Sequence, residues 1–422
     1  MKDPRVSEMA ANLVGSEILR IAAEVRAMMA AGADVCNLTV GDFDSAQFPI
    51  PRSLAAGIAE ALRAGETNYP PSDGMLLLRQ SVADLYRRRF GLEYPLESIL
   101  VTGGSRPGIY SAYRAVVDPG DIVVYPVPSW NNNHYVHLTG AVGRPVNCDA
   151  DTFFLPVRAQ LEEAVRGARL LVLNSPLNPT GTAFEDDALA GICDLVLEEN
   201  GRRGPDERPL YLLYDQVYWM LTFGGAHHVN PVSLRPEMAA YTLFIDGASK
   251  AFASTGLRVG WTVAPADVSR RMASIVGHVG AWAPRAEQVA VARFLADDAA
   301  MDEYLTEMNS AIHGRLQTLY AGFQAMRARG LPVDAIAPAG AIYLSARLDL
   351  SGYRTPSGGT LRTDNDIREY LLESAGAAVV PFQSFGFQDD TGWFRLSVGA
   401  ASPEAIDAVL VRIDQALTAL ER

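Results

Sequence analysis

Residues 246–261 read DGASKAFASTGLRVGW, a stretch that leaves the apolar run TLFI (242–245) and ends in a second one, RVGWTV (258–263). At its centre stands Lys250. The 422-residue chain carries 36 basic residues, of which only Lys2 and Lys250 are lysines and the rest are arginines. Lys2 sits at a terminus that is expected to fray. A chain that writes its positive charge as arginine has a use at position 250 for an amine, which can lose its proton and attack a carbonyl where a guanidinium cannot.

Working outward from this stretch, short apolar runs alternate with helical patterns. SILVT (98–102), DIVVY (121–125), LLVLNSP (170–176), PLYLLYD (209–215) and TLFIDGASK (242–250) are interleaved with segments such as RPGIYSAYRAVV and EDDALAGICDLVLEEN. The alternation predicts an α/β fold with a mostly parallel sheet covered by helices on both faces. ENGRRGPDERP (199–209) reads as a polar surface insertion between a helix and a strand. Beyond about residue 300 the character changes. A long helical stretch runs from roughly 285 to 329, followed by AIYLSARL, the helical NDIREYLLESA, AAVVP and WFRLSV. A final helix opens on Ser402 and Pro403 and places Ile406, Val409, Leu410, Ile413 and Leu417 on one face. The expected organisation is a large domain over 50–300 and a smaller α/β domain over 301–422, the latter joined by an N-terminal segment, 1–49.

Composition narrows the function classes. Apolar content of 49% and charged content of 20% describe an ordinary globular protein. A net charge of −13 argues against nucleic acid or an anionic membrane as partner. No apolar run approaches the ~18 residues of a membrane span, and MKDPRVSEMA lacks the apolar core of a signal peptide. Cys36, Cys148 and Cys193 show no metal-ligand spacing and read as buried thiols in a reducing compartment. A cytoplasmic protein is expected.

In open α/β sheets, ligands gather beyond the carboxyl ends of the strands. TGGSRPG (102–108) follows the first strand and opens a helix, so the turn at Gly104 and Ser105 can aim backbone N–H groups at an anion. Trp130 follows the next strand and offers a face for stacking. Asn178 lies in NSPLNPTG, a rigid non-helical loop. Asp215 ends PLYLLYD with Tyr218 three residues on, and Arg258 follows Lys250 by eight. Singly, each has an ordinary structural reading as turn, core aromatic or cap. Together they bring an anion cradle, a ring, a carboxylate, a phenol, an amine and a guanidinium to one sheet edge, the inventory for a phosphorylated, cationic, planar aldehyde.

In this order and spacing, NSPLNPTG, YDQVY and SKAFASTGLRVGW resemble the fold-type I pyridoxal-phosphate enzymes, most closely the class I/II aminotransferases typified by aspartate aminotransferase. LTVGDFD (38–44) is similar to the segment that closes over the substrate, and TNYPPSDGMLLLR (67–79) to the one whose tyrosine reaches a partner subunit's cofactor. WFRLSVG (393–399) is similar to the segment with the substrate-carboxylate arginine, so the resemblance covers nearly the whole chain. It implies that Lys250 forms a Schiff base with pyridoxal 5′-phosphate and shuttles the substrate proton. Asp215 is then the partner of the pyridine nitrogen, and Asn178 and Tyr218 those of the ring oxygen. Trp130 stacks on the ring. Arg258, Gly104 and Ser105 hold the phosphate, with Tyr69 contributed by a second subunit of a homodimer, and Ser249 borders the same end. Arg395 clamps the substrate α-carboxylate with help from Gly41. Arg106, His134 and Trp282 are further pocket candidates.

The chain departs from the family pattern at three points. Gln216 stands where a glutamate is frequent, and Gly247 where many members have a phosphate-binding serine. Ser105 stands where some aspartate-specific relatives grip the distal carboxylate with a lysine; Arg106, next to it, is expected to take over that grip. The leading expectation is transfer of an amino group from an L-amino acid to a 2-oxoacid, 2-oxoglutarate first among acceptors. A pyridoxal-phosphate lyase or decarboxylase, such as a β-C–S lyase, is the alternative on the same motifs, because the outcome depends on which bond breaks. A ligand-sensing regulator is disfavoured by the acidic charge and by the roughly 35 residues ahead of CNLTVGD, too few for a DNA-binding domain.

Overall fold

The computed structural model describes residues 5–422, so Lys2 lies outside the described residues. The strands are β1 (Cys36–Asn37), β2 (Ile99–Thr102), β3 (Ile122–Val127), β4 (Val142–Asn147), β5 (Leu170–Asn174), β6 (Tyr211–Asp215), β7 (Thr242–Gly247), β8 (Gly260–Val263), β9 (Val333–Ala335), β10 (Tyr343–Leu348), β11 (Ala377–Ala378), β12 (Val380–Pro381) and β13 (Trp393–Ser397). Seven of them form one sheet in the order β2-β8-β7-β6-β5-β3-β4. All run the same way except β8, which is antiparallel to both its neighbours.

Alternation along the strands divides this sheet's two faces. Leu213 and Ile245 enter a core with Ile109 and Tyr113 of the helix Ser105–Val116 and Met272 of the helix Ala266–Val279. Their neighbours Leu212, Tyr214 and Phe244 enter the opposite core with Leu78 and Tyr86 of the helix Leu76–Phe90 and Ile192 of the helix Asp186–Gly201. A strand buried on both faces needs apolar residues at consecutive positions, which is why these strands stand out in the sequence. Truncating one of them, for example Leu213→Ala at a fully buried position, costs about 2–5 kcal/mol.

Two local readings needed correction. Strand β4 had no counterpart in the sequence reading. It is a half-exposed edge strand, VGRPVN, whose glycine and proline hide its β character and are tolerated only because one side needs no partner. The helix expected over 285–329 is two helices, Arg285–Leu295 and Asp298–Ala328. The break falls at Asp297, whose side chain accepts from the Ala300 N–H at 3.1 Å and caps the second helix.

Beyond that helix, four strands form an antiparallel sheet, β12-β13-β10-β9. The N-terminal segment joins this region: β1 pairs in parallel with β11, and Ser397 N–H donates to the Leu38 carbonyl. The last helix, Pro403–Thr418, starts where expected, with Ser402 accepting from Ala405 N–H at 3.2 Å. Thr39–Asp42, the ends of β6 and β7, the loop at Asn178 and the middle of β13 thereby converge on one cleft.

Candidate active site

The cleft begins with an anion cradle. From β2 the chain turns through Gly103 and Gly104 into the helix Ser105–Val116. Gly104 has φ 88°, a left-handed conformation that favours glycine, and a Cβ there would strike the Arg258 guanidinium. A Cβ on Gly260 would lie 2.5 Å from the Gly104 carbonyl carbon, so β8 approaches the helix start backbone to backbone. Arg258 itself is held at φ 56°, a conformation costing a non-glycine residue about 1–2 kcal/mol. Its Nη1 donates to Thr255 O at 2.7 Å and its Nη2 to Gly103 O at 3.0 Å. A guanidinium and a helix N-terminus thus share one spot, and both attract an anion. The missing serine at 247 has a steric reason: a Cβ on Gly247 would sit 2.9 Å from the Gly260 Cα.

Next to the cradle stand the amine and the carboxylate. Asp215, at the end of β6, faces a cavity that Trp130, Asn132, Asn174 and Leu177 also line. Its carboxylate accepts from the Val217 N–H at 3.2 Å, and burial pushes its pKa up to about 7 against the pull of that N–H and of Lys250. Lys250 lies in the short turn after β7 and donates through Nζ to Gly41 O at 2.5 Å. Burial lowers its pKa to about 8, with Arg395, Arg106 and Arg258 adding to the effect and Asp42 opposing it. A lysine in this state is a nucleophile near neutral pH.

Arg395, in β13, is 1% exposed. Its Nη1 donates to Asn178 Oδ1 at 3.1 Å and its Nη2 to the Thr39 carbonyl, while Nε has no partner. The rings of Tyr343 and Phe385 lie 4.7 and 4.8 Å from its guanidinium carbon. Tyr218 and Tyr343 share a hydrogen bond between hydroxyls at 2.7 Å. Asn178 is fixed from behind, its N–H donating to Asn174 Oδ1 at 2.8 Å while Asn174 Nδ2 donates to Asp215 O.

The remaining expected residues are placed as follows. Arg106 lies 4.6 Å over the Trp130 ring, so one face of that indole already carries a cation. Ser105 opens the helix beside the cradle, and Ser249 precedes Lys250, its carbonyl accepting from Ser254 N–H. Tyr69 is 83% exposed and packs edge-to-face on Trp282 at 5.4 Å. His134 sits on the helix Asn132–Thr139 that follows Trp130, its pKa lowered by burial. Sequence reasoning passed over Tyr343, in a segment read only as a strand-like unit, and Phe385, which falls between the segments AAVVP and WFRLSV. It also passed over Asp42, whose Oδ1 accepts from Thr255 Oγ1 at 2.6 Å and ties the N-terminal segment to the Lys250–Arg258 loop.

Among the described residues none of Arg106, Arg258 and Arg395 has a carboxylate within ion-pairing distance. Three guanidinium groups without acidic partners, an amine near neutrality and a partly buried carboxylate with one N–H donor fit a ligand set with a phosphate, a carboxylate and a cationic ring nitrogen. Pyridoxal phosphate together with an amino acid is such a set. The fold and this donor set define a fold-type I pyridoxal-phosphate site.

Comparison with known proteins narrows the class. The family model "Aminotransferase class I and II" matches residues 33–413, and the chain belongs to that family. It is 32% identical to the aspartate aminotransferase of Rhizobium meliloti (strain 1021) over 93% of this chain and 92% of that one. It is 28% identical to the aspartate aminotransferase of Geobacillus stearothermophilus over 98% and 99% of the two chains. Among solved structures, the aspartate aminotransferase from Rhizobium meliloti superposes with a TM-score of 0.90 at 30% identity, covering 99% of both chains. The aspartate aminotransferase from Thermus thermophilus with maleate gives 0.86 at 28% identity, covering 99% of this chain and 100% of that one. The protein is a pyridoxal-phosphate-dependent aminotransferase.

Proposed function

We propose that Lys250 is the covalent anchor and proton carrier of this aminotransferase, and that the donor it serves is an acidic L-amino acid with 2-oxoglutarate as acceptor. The observation that carries the reading is the setting of Lys250: a partly buried amine with a pKa near 8, close to arginines that lack acidic partners. When bound, pyridoxal phosphate supplies an aldehyde for the amino group and a ring that accepts the electron pair left when the substrate Cα–H bond breaks. The side chains do the rest. Lys250, when neutral, would take the proton from the substrate Cα and carry it. Asp215 holds a proton on the ring nitrogen, and Asn178 and Tyr218 bind the ring oxygen. Arg258, Gly104 and Ser105 hold the phosphate, bordered by Ser249, and Trp130 flanks the ring. Arg395 fixes the α-carboxylate by its planar fork beside Gly41 and, being 1% exposed, keeps water from it.

Arg106 takes the second carboxylate of the donor, as its free guanidinium over Trp130 suggests and as the names of the aspartate-active relatives encourage. Tyr69 completes the site of a second copy in a homodimer. Its 83% exposure, next to exposed Leu76 and Leu77, is that of an interface residue. The large sheet with residues 50–300 forms one domain. Residues 301–422 with the 1–49 segment form the other, a division supported by the β1–β11 pairing. The compartment is the cytoplasm, in keeping with three buried cysteines in no disulfide, whose thiols burial pushes up to between about 11 and about 12. No helix among the described residues is long and apolar enough to cross a membrane.

The test is the half-reaction. Purified protein loaded with pyridoxal phosphate and given single L-amino acids without a 2-oxoacid is expected to accumulate pyridoxamine phosphate, fastest with aspartate or glutamate. Lys250→Ala abolishes the visible cofactor band, and Arg106→Ala removes the preference for acidic donors over alanine by roughly tenfold or more. Pyruvate and ammonia as products would overturn transfer in favour of elimination; an unchanged preference in Arg106→Ala would overturn the assignment of the second carboxylate.

A further inference from the structure

Tyr343 enters neither the motif set nor the roles above, yet it touches three residues of the site, Tyr218, Arg395 and Gly41. It is 1% exposed and opens β10, in the middle of the four-stranded sheet. Its hydroxyl lies 2.7 Å from that of Tyr218. Its ring lies 4.7 Å from the Arg395 guanidinium carbon. A Cβ on Gly41 would fall 2.5 Å from its hydroxyl oxygen, so Gly41, the residue whose carbonyl accepts from Lys250, is a glycine that leaves room for this phenol.

Each phenol carries one hydrogen and two lone pairs. Burial raises both above the ordinary tyrosine range, so both are protonated at neutral pH. The hydroxyl of Tyr343 has one hydrogen-bond partner, Tyr218, in a residue that is 1% exposed. If Tyr218 donated to Tyr343, the hydrogen of Tyr343 would be buried with no acceptor, the costly outcome for a polar group. With Tyr343 as donor, its hydrogen is satisfied and the hydrogen of Tyr218 is released toward the cleft, where a ligand oxygen can accept it. A hydroxyl that accepts one hydrogen bond is also a stronger donor in the next.

We propose that Tyr343 is a positioning residue for amino transfer: its hydroxyl fixes Tyr218 as a donor into the cofactor site, and its ring supports the Arg395 guanidinium that receives the substrate carboxylate. The proposal rests on the reading of Tyr218 and Arg395 given above. One residue of the four-stranded sheet thereby ties the cofactor's ring oxygen to the substrate's carboxylate.

The two contacts separate in two variants of the holoenzyme. Tyr343→Phe keeps the ring and removes the hydroxyl. The pH midpoint of the cofactor's visible band is expected to rise by about 0.7 unit, the equivalent of one net hydrogen bond, while KM for the amino acid stays within about twofold. Tyr343→Leu removes the ring as well, and KM is expected to rise roughly tenfold or more from loss of a desolvated cation–π contact. Tyr218→Phe is the reference. If it moves the midpoint and Tyr343→Phe does not, the proposal is overturned while the role of Tyr218 stands. If Tyr218→Phe leaves the midpoint in place, the role of Tyr218 itself is wrong. In a Tyr218→Phe background, Tyr343→Phe is expected to add no further shift; an additive shift also overturns the proposal. Should Tyr343→Phe fail to load cofactor, Gly41→Ala, which displaces the hydroxyl by its Cβ, is expected to shift the midpoint in the same direction, and no shift there counts against the proposal.

Discussion

Two aspartates stand one residue out of register on neighbouring strands, Asp215, partly buried, on β6 beside Ile245, and Asp246, fully buried, on β7 next to it. Burial pushes both up to about 7. Their partners differ completely. Asp246 points to the Tyr86 face of the sheet and accepts from Trp219 Nε1 at 2.9 Å, Tyr86 Oη at 3.3 Å and its neighbour Gly247 N–H at 2.7 Å. Gln216 extends that network, donating to Tyr86 Oη at 3.0 Å and meeting His228 at 3.2 Å. Asp215 points to the other face, where Val217 N–H donates to it and it lines a cavity together with Trp130, Asn132 and Asn174. The same residue type at the same strand edge gives a fully buried, well-partnered node on one face and a partly buried carboxylate lining a cavity on the other. Perturbed acidity alone does not separate them, since structural networks perturb it as strongly as functional sites do; unmet hydrogen-bonding capacity does.

The sharpest way to break this contrast is to neutralise each aspartate in turn. Asp215→Asn is expected to lower kcat by on the order of 10²- to 10⁴-fold in the loaded enzyme, because the group that holds charge against the cofactor is lost. Asp246→Asn is expected to keep kcat within roughly threefold. Comparable losses in both variants would erase the distinction.

Stability should respond the other way round. Asp246→Asn sets an amide N–H₂ against the Trp219 N–H and is expected to cost about 1–3 kcal/mol in urea unfolding of the cofactor-free protein. Asp215→Asn, with fewer partners to lose, costs less. The pH dependence of the Asp246→Asn deficit has a definite sign. Because the folded carboxyl has a pKa raised from 3.8 to about 7, its contribution is full below the unfolded value and is lost as pH rises through the folded one. Asparagine does not titrate, so the gap between wild type and variant narrows from about pH 4 to about pH 7; a gap that widens refutes the reading.

The smallest effect concerns the amine. With Lys250 at about 8 rather than the ordinary 10.5, loading of pyridoxal phosphate onto the cofactor-free protein is expected to accelerate with pH and level off near 8. Levelling near 10.5 would mean that the arginines and burial do not depress this lysine.

The strand ends were readable where both faces are buried, since LLVLN and YLLYD are apolar at every position before their polar ends. Strand β4 was not, because an exposed edge tolerates Gly143 and Pro145. Gln216 stands in the sequence only as a departure from the glutamate frequent at that position. Beside the buried carboxylate of Asp246 and its Tyr86 bridge, an amide supplies the donor that a second acid would lack. Gly247 likewise read as a lost phosphate ligand, and is a position where no side chain fits over Gly260.

By itself the sequence determined which groups the site can draw on. One amine in a chain of arginines, a carboxylate at the end of an apolar strand, a glycine turn before a helix and two distant arginines, in an order that resembles one family, pointed to its cofactor and left transfer and elimination open, because the same motifs serve both. Only the tertiary structure decided which polar groups are left unsatisfied. The separation of Asp215 from Asp246, the clasp from Asp42 to Thr255 and the placement of Tyr343 between Tyr218 and Arg395 all join segments 30 to more than 200 residues apart. Hydrogen-bond capacity is spent or spared in three dimensions, and a sequence carries the groups without the account of which ones meet.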